Sequence, residues 1–558
     1  MSISSRACAG VVATLIVVTV SGCGGDTDTE PSKSNSALGN SALGDAAGGA
    51  SPDYTPTGPL LADSGYRPSA NGFSFENYTN DKNPTNLTPQ SMRAMFGDSV
   101  CENTANGGCT LIPQSEAWMQ KTNEEMGNGH CYGMSSASLL MYMRKLDSAG
   151  FGGDAGHALS FDGNSPLQEM LAQQWAAQTF SEVHDRVVAG APSQVLDTLI
   201  ASLKPDAPET YTISFWKPDM TGGHAISPYA VEDKGEGKVS ILVYDNNFPG
   251  VTRHMDVDRT ANTWQYEAAT NPSESSELYQ GDAQTETFKL FPSTPALGLH
   301  KFPYEGHASA NASATAAAGP PPLTVYLEGD AIHHGHLLIT DDQGRRLGFA
   351  NGKRINEIPG TRTVDLVAGR NSSPEPDYQL PSDAHYTITV DGTGLPKSDR
   401  THVGIIGDAF AVDVSDIDLA PGARSTIDMS PVGDRVTYTS TDAQSPAVEI
   451  GENYEHADYI FTARNVAVGP GGTATITRPS NRDLFTVDSA KSGKAGSVGV
   501  EMRRIDDVGT RTFKHDGVSV AAGGSAEFDF DDWDGGGKSM GLTVSENGKR
   551  TTTKLPTD

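Results

Sequence analysis

The sequence predicts an α+β domain over residues 71–297, followed by an all-β, sandwich-like region over residues 322–558. In the first region, segments with helical spacing precede segments with strand alternation, which is the order typical of an α+β domain. In the second region, short alternating runs lie between Gly, Pro and Asp turns, and no convincing helical pattern occurs. The 61 glycines and 33 prolines also favour strands and loops, and a length of 558 residues predicts several domains.

The formal net charge of −30 argues against nucleic acid or an anionic membrane surface as a partner of the folded chain. The N-terminus is a targeting segment, because Arg6 precedes an apolar run over residues 9–20 that is too short to span a bilayer. The run ends in Val-Ser-Gly-Cys23, which resembles the lipobox of bacterial lipoproteins. This resemblance implies removal of residues 1–22, lipid on Cys23 and a protein tethered outside the cytoplasm. An ordinary signal peptide cut nearby is the alternative.

Residues 23–70 are mostly Gly, Ser, Ala, Asp, Thr and Pro, so we expect a disordered linker between the lipid and the first domain. In that domain, residues 91–96, 115–126, 166–175 and 192–203 have helical spacing. Strands are predicted at 211–216, 224–232, 238–244, 251–257 and 263–268, with a hairpin turn at 233–237.

A second linker, rich in Ala, Ser and Pro, is predicted over residues 298–321, before a β-rich domain at 322–396 and one or more β-sandwich domains at 397–558. The last segment contains a weak repeat, strand–Gly turn–strand, beginning at Ile417, Val466 and Val518. The starts lie 49 and 52 residues apart, so reuse of one hairpin is expected, with convergent turn chemistry as the alternative.

The cysteines point to one unpaired thiol. Cys8 leaves with the signal peptide, Cys23 carries lipid, and Cys101 and Cys109 bracket a short polar loop that an oxidising compartment would close as a disulfide. Cys131 is left over, at the start of a predicted helix, where the helix dipole and free N–H groups favour the nucleophilic thiolate. An unpaired cysteine is more often inert packing, so further residues have to support a catalytic role.

Such residues follow about ninety positions later. His224 begins a strand behind Gly222-Gly223, and the paired strand ends in Asp245-Asn246. A hairpin closed at 233–237 brings 224 opposite 245–246, so a carboxylate or amide can accept the Nδ1–H of His224 and turn Nε2 towards the thiol. Asp245 is preferred over Asn246 if the face carrying Val239, Ile241 and Val243 packs against the Cys131 helix.

The order Cys, Gly-His, Asp/Asn resembles the papain-like cysteine peptidase superfamily over about residues 72–295, in arrangement and not in running identity. The motifs at 129–134 and 244–250 are also similar to those of uncharacterised exported bacterial proteins of this type. The resemblance implies a peptidase using Cys131, His224 and Asp245 (or Asn246), with no metal or cofactor. The family's oxyanion Gln would fall at Glu125, so Gln120, Asn123 or Asn128 is expected to take that role, beside the Cys131 backbone N–H.

Other polar residues are weaker candidates for a catalytic or metal-binding role. His130 is expected to be structural or to line the substrate site, and His334 with His336 could form a metal pair, although no carboxylate lies at a suggestive spacing. Asp529, Asp531, Asp532 and Asp534 lack EF-hand spacing and predict a solvated turn.

The leading expectation is a lipid-anchored extracytoplasmic thiol hydrolase that cleaves peptides or proteins. One alternative is an inactive fold that binds partners at the cell surface through its β domains. Another is a thiol enzyme that acts on cell-wall amides or transfers acyl groups. The sequence does not define the substrate, the cleavage specificity or the oligomeric state.

Overall fold

The computed structural model describes residues 54–306, 322–330, 333–367, 375–454, 456–479, 482–531, 533 and 539–557. The predicted signal peptide, Cys23, most of the first linker and residues 307–321 of the second lie outside the described residues. None of the helices described is both long and apolar enough to cross a membrane.

The helices are α1 Pro68–Asn71, α2 Pro89–Phe96, α3 Pro113–Glu125, α4 Cys131–Tyr142, α5 Ser165–Ala176, α6 Ser181–His184 and α7 Pro192–Ser202. The strands of the first half are β1 Leu60–Asp63, β2 Cys101–Asn103, β3 Thr110–Leu111, β4 Tyr211–Phe215, β5 His224–Gly235, β6 Lys238–Tyr244, β7 Thr252–Asp258, β8 Thr263–Ala268, β9 Glu277–Asp282 and β10 Phe288–Pro292. The strands of the second half are β11 Pro322–Glu328, β12 His336–Asp341, β13 Arg346–Ala350, β14 Lys353–Asn356, β15 Arg362–Val364, β16 Asp377–Pro381, β17 Tyr386–Asp391, β18 Asp399–Gly407, β19 Phe410–Leu419, β20 Arg424–Met429, β21 Arg435–Ser440, β22 Ala447–Glu452, β23 Asp458–Arg464, β24 Thr473–Thr477, β25 Leu484–Lys491, β26 Gly496–Asp506, β27 Gly509–Val520, β28 Ser525–Asp529, β29 Ser539–Glu546 and β30 Lys549–Pro556.

An eight-stranded antiparallel sheet organises the first half, in the order β10-β4-β5-β6-β7-β8-β9, with β1 also paired to β5. Residues 54–70, expected to belong to the disordered linker, instead have a defined place. Leu60 to Asp63 form a sheet strand and the Tyr66 ring is fully buried. The composition of this segment did not predict these apolar contacts, because a stretch that is polar on average can still dock through one buried aromatic ring.

The two faces of the sheet are covered by different helices. Val239, Ile241 and Val243 pack in one core with Val195 and Leu199 of α7. The opposite face, with Leu242 and Tyr244, packs against Leu139 of α4. The premise that the Val/Ile face meets the Cys131 helix is therefore wrong. Both faces are apolar, so alternation alone did not show which helix covers which face.

The second half is a two-sheet sandwich with one shared core. A nine-stranded sheet has the order β15-β16-β11-β18-β19-β22-β23-β26-β27, and an eleven-stranded sheet has the order β14-β13-β12-β17-β20-β21-β24-β25-β28-β29-β30. The segments 322–396 and 397–558 both contribute strands to both sheets. The large antiparallel sheets fit the expected all-β region.

The repeat has a structural meaning that differs from a reused hairpin. From β18 onward, antiparallel pairs alternate between the sheets: β18–β19, β22–β23 and β26–β27 lie in the nine-stranded sheet, and β20–β21, β24–β25 and β28–β29 in the other. Gly422, Gly471 and Gly523 have φ values of 79°, 68° and 83° and lie where the chain crosses between sheets. Each repeat is thus a crossing corner, and glycine meets its positive φ without steric cost.

The two halves are joined by helix α3, which packs on the nine-stranded sheet. Phe302 and Tyr304, within the expected second linker, are buried in a cluster that includes Trp118 of α3 and Tyr326 and Ile406 of the sandwich. Lys121 of α3 extends into this junction, where its Nζ lies 2.6 Å from Glu125 Oε1 and 2.7 Å from Asp377 Oδ2. The helix that leads to Cys131 is therefore fixed to the sandwich by apolar and ionic contacts.

Candidate active site

Cys131 is the first residue of α4, and its position is set by the turn before it. Asn77 Oδ1 accepts a hydrogen bond of 2.9 Å from the His130 backbone N–H. Gly129 adopts a φ of 155°, and a side chain there would lie 3.2 Å from Asn77 Nδ2. The positive φ and this close approach favour glycine, and the turn fixes the entry into the helix.

The small residues of α4 let the helix lie close to its neighbours. At Gly133, a Cβ would come within 2.1 Å of the Leu171 carbonyl oxygen of α5. Ser135 Oγ donates a 2.9 Å hydrogen bond to the Ala225 carbonyl oxygen of β5. The helix start and the first residues of β5 are thereby held together, which brings Cys131 beside His224.

The imidazole of His224 is paired with Asp245. His224 Nε2 lies 2.9 Å from Asp245 Oδ1, and both side chains are fully buried. Asp245 Oδ1 also accepts the Asn247 backbone N–H at 2.9 Å, and Oδ2 accepts the Tyr266 hydroxyl at 2.7 Å. Such hydrogen bonds stabilise a buried carboxylate in its ionised form.

The charges of the pair reinforce each other. Burial lowers the pKa of His224, but the Asp245 carboxylate, aided by the Cys131 side chain, outweighs burial and raises that pKa to about 10. For Asp245, burial raises the pKa, but the charge of His224 and the hydrogen bonds from His224, Asn247 and Tyr266 lower it below its ordinary value. The pair is therefore an imidazolium and a carboxylate at neutral pH.

The ring has the opposite orientation to the one expected. Nε2, and not Nδ1, binds Asp245, so Nδ1 is the nitrogen left to face the thiol. Cys131 is among the groups that raise the His224 pKa, so the thiol and the ring are close together. The strand register predicted that His224 and Asp245 lie opposite each other. Which ring nitrogen binds Asp245 and which faces the thiol depends on the side-chain torsions of His224.

Asn246 forms its side-chain hydrogen bonds with the helix and the sheet and not with the His224 ring. Its Nδ2 lies 3.0 Å from each of three oxygens: the Cys131 carbonyl, the Ala225 carbonyl and Ser135 Oγ. The amide therefore holds the first turn of α4 against β5. Sequence reasoning treated Asn246 only as a rival of Asp245 and missed this role, because it depends on the packing of α4.

The oxyanion candidates are placed in different surroundings. Gln120 Nε2 donates to Glu116 Oε1 on the exposed side of α3, and the Asn123 side chain bonds both the N–H and the carbonyl of Leu87. Glu125 is paired with Lys121 at the junction. Asn128 is half-buried and lies three residues before Cys131, nearest of the three candidates along the sequence.

His130 is held as a structural residue. Its Nδ1 lies 2.9 Å from the Tyr78 carbonyl oxygen and its Nε2 2.9 Å from Asn86 Oδ1, while the ring stacks on Tyr78. Burial lowers its pKa to about 4, so the imidazole is neutral.

The Cys101–Cys109 disulfide is present, and Cys131 is the one free thiol among the described residues.

The sandwich contributes a wall beside the site. The Leu366 carbonyl oxygen accepts the Trp216 indole N–H at 3.2 Å, and Gln178 Oε1 accepts the Val367 backbone N–H at 2.6 Å. A Cβ at Gly223, next to His224, would meet Trp216 Nε1 at 2.6 Å. Val367 is buried in the same cluster as Cys131, whose exposed fraction is zero. The Cys131 thiol is therefore covered in this structure.

A groove of about 790 Å³ lies on the sheet formed by β6 to β9 and is lined by residues such as Lys238, Asp256 and Trp264. Its lining, taken over the described part of the chain, includes none of Cys131, His224 and Asp245.

Two clusters of histidine and carboxylate side chains, His334–His336–Glu375 and Glu124–Glu328–His402, are close enough to hold a metal ion. For the acidic turn, Asp529 and Asp531 are described, and Asp532 and Asp534 lie outside the described residues.

Tyr266, on β8, is a further site residue that sequence reasoning missed. We expect Tyr266→Phe to slow alkylation of Cys131 at pH 7 on the order of tenfold, since it removes one hydrogen bond to a buried charge. The aromatic ring and its edge contact with Phe215 at 5.3 Å are kept. The rate is measured by mass spectrometry against Tyr386→Phe, whose hydroxyl bonds the Pro381 carbonyl in the sandwich. Equal rates in the two variants would contradict a role for Tyr266.

Comparison with known proteins does not assign this site to a family. The papain-like resemblance accordingly stays a prediction from the motifs and their order. The chain matches no protein-family model, no curated protein and no solved structure.

Proposed function

We propose that this chain is a lipid-anchored, extracytoplasmic thiol hydrolase of the papain-like type, acting on peptides or proteins. The observation that carries the proposal is the buried His224–Asp245 pair beside a free cysteine at a helix N-terminus. Packing alone does not require a buried imidazolium–carboxylate pair next to a thiol, and such pairs are costly unless their charges are used. A nucleophile, a proton carrier and an orienting carboxylate are the parts that acyl transfer needs.

In the proposed reaction, the Cys131 thiolate attacks the carbonyl carbon of the substrate amide and the carbonyl π electrons move to oxygen. Collapse of this intermediate expels the amine, which takes its proton from His224, and leaves a thioester on Cys131. Water then attacks the thioester with His224 as general base, and Cys131 leaves as thiolate while His224 is again protonated. Asp245 keeps the ring oriented and stabilises its charge, and the Cys131 N–H with Asn128 would face the oxyanion.

A second candidate function, binding by an inactive fold, is favoured by one observation. The Cys131, His224 and Asp245 side chains are all fully buried, which a resting enzyme must relieve before turnover. Action on cell-wall amides or transfer of the acyl group to another acceptor would use the same residues and differ only in the nucleophile that resolves the thioester.

The test is labelling of the purified full-length protein with iodoacetamide at pH 6, followed by mass spectrometry of the peptide that contains Cys131. Alkylation of Cys131 that falls sharply in His224→Ala supports the proposal, and His157→Ala, a histidine change outside the site, is the matched control. His224→Gln keeps the side-chain size if the alanine variant fails to fold. An unreactive Cys131, or a rate that does not depend on His224, would favour the inactive fold. Peptide and cell-wall libraries then distinguish the substrates.

A further inference from the structure

We propose that His334, His336 and Glu375 form a binding site for a divalent transition-metal ion, with Zn²⁺ the best match, between the two sheets of the sandwich. The sequence pattern offered only the histidine pair. The structure adds a carboxylate from a segment 39 residues beyond His336, and one ligand atom from each of the three residues lies within 4.8 Å of the others.

The three residues come from both layers of the sandwich. His336 is the first residue of β12, in the eleven-stranded sheet, and the ring of His334, two positions before it, lies with its centroid 5.3 Å from that of His336. Glu375 lies two positions before β16, in the nine-stranded sheet. An ion held by all three would cross-link the sheets at one end of the shared core.

Surrounding groups hold each side chain in place. His334 donates from Nδ1 to the Gly335 carbonyl oxygen at 2.6 Å, which directs Nε2 towards an ion. The His336 ring stacks on Phe349 with centroids 4.3 Å apart. Glu375 Oε1 accepts the Leu337 backbone N–H at 2.9 Å and the Tyr378 hydroxyl at 2.7 Å. The ligands are thus preoriented by backbone and aromatic contacts, as in protein metal sites generally.

The chemistry of the ligand set selects the ion. Glu375 Oε2 and His336 Nδ1 are hydrogen-bonded at 3.1 Å, close to the separation of about 3.3 Å between two ligands of a tetrahedral zinc ion, which would take the place of the shared proton. Imidazole nitrogens favour transition metals over Ca²⁺ and Mg²⁺, which prefer oxygen ligands. Two histidines and one carboxylate also leave a fourth position for water or another ligand, so the bound ion would be exchangeable or chemically active.

The other cluster, Glu124, Glu328 and His402, fits a transition metal less well. It has one imidazole against two carboxylates, and Glu124 is exposed. His402 Nε2 is already 3.3 Å from Glu328 Oε2 and 3.9 Å from Asp413 Oδ2, which makes it an ion-pair network of its own. It serves as the competing site in the test.

The test uses the full chain in a Cys131→Ser background, which removes the catalytic thiolate as a zinc ligand, after stripping with a chelator. Zn²⁺ is titrated by calorimetry, and Co²⁺ is added separately because its visible spectrum reports the coordination geometry. We expect one ion per chain. His336→Ala and Glu375→Gln should each weaken binding by more than the roughly 10- to 100-fold that loss of a second-shell partner costs. His333→Ala, which changes an adjacent half-exposed histidine outside the cluster, should bind as the parent does.

His334→Ala is a second ligand variant, and the ion-dependent rise in melting temperature is a second readout, so a poorly folded Glu375→Gln does not decide the result. The parent should show this rise and the ligand variants should lose it. Absence of stoichiometric binding in the parent overturns the proposal. Binding that survives all three ligand variants, or that is lost in His402→Ala instead, also overturns it.

Discussion

Asp245→Asn is expected to lower turnover at pH 7 on the order of 10²- to 10⁴-fold, the range for losing general acid–base catalysis or the carboxylate that orients its histidine. The Asp245 charge is the main influence that raises the His224 pKa to about 10, against burial, which lowers it. With Asn in its place, burial is left largely unopposed. The buried imidazole then becomes neutral at pH 7, and its proton is no longer available to the leaving group.

The direction in which activity changes with pH follows from the same His224–Asp245 pair. In the parent, activity that needs the imidazolium should persist as pH rises and fall only near pH 10. In Asp245→Asn, this fall in activity at alkaline pH (the alkaline limb) should move to the ordinary histidine pKa of about 6.5 or below. The measurement is kcat/KM between pH 5 and 11 on a substrate from the peptide and cell-wall libraries, because alkylation expels iodide and needs no proton from the imidazolium.

Asn246→Ala is the informative control, since Asn246 bonds Cys131, Ala225 and Ser135 and not the His224 ring. It should lower stability and slow alkylation while leaving the alkaline limb near pH 10. Both effects are expected because loss of the amide leaves buried carbonyl groups short of a donor. A limb that moves in Asn246→Ala and stays in Asp245→Asn would show that the roles are reversed.

Lys121→Met is expected to destabilise the folded chain by about 3–5 kcal/mol, the cost of removing one partner from a buried ionic group. Only 2% of the Lys121 side chain is exposed, and it is the cation between Glu125 and Asp377. Burial already raises the Glu125 pKa to about 8 and raises that of Asp377, even with Lys121 present. Without the ammonium, Asp377 would lose the cation that opposes its burial and would have to protonate or move away, and the junction of α3 with the sandwich would loosen.

The measurement is the free energy of unfolding in denaturant at pH 7.5. Lys301→Met is the matched control, because Lys301 is 78% exposed and its ion pair with Glu305 spans 3.5 Å, so a change within about 0.5 kcal/mol is expected. The triple variant Lys121→Met, Glu125→Gln, Asp377→Asn should recover part of the loss, since it removes the charges left behind. Equal costs for the two single variants would rule out an ionic role at the junction.

Patterns that depend on neighbouring residues were predictable. Segments 115–126, 192–203 and 238–244 form α3, α7 and β6 within a residue or two, because apolar spacing and Pro or Gly limits define them locally. The pairing of β5 with β6 followed from the turn. The 49- and 52-residue spacing also marked a true structural period, although the crossing of each copy between sheets did not follow from the sequence.

What escaped prediction depends on contacts between distant segments. Tyr266 donates to Asp245 from a strand 21 residues away, and nothing in its own surroundings distinguishes it from a core tyrosine. The orientation of the His224 ring depends on a torsion, and the side of the sheet that α4 covers depends on the whole helical layer. Glu375 likewise joins the two histidines only after the two sheets have come together.

The wall made by Leu366 and Val367 has a consequence for how this chain can be divided. A fragment ending near residue 306 would lack the backbone groups that meet Trp216 and Gln178, and would expose the apolar surface that Val367, Tyr326 and Ile406 now cover. The sandwich is therefore not an appendage that can be trimmed or exchanged for another module. Engineering and crystallisation should therefore keep the first half and the sandwich together.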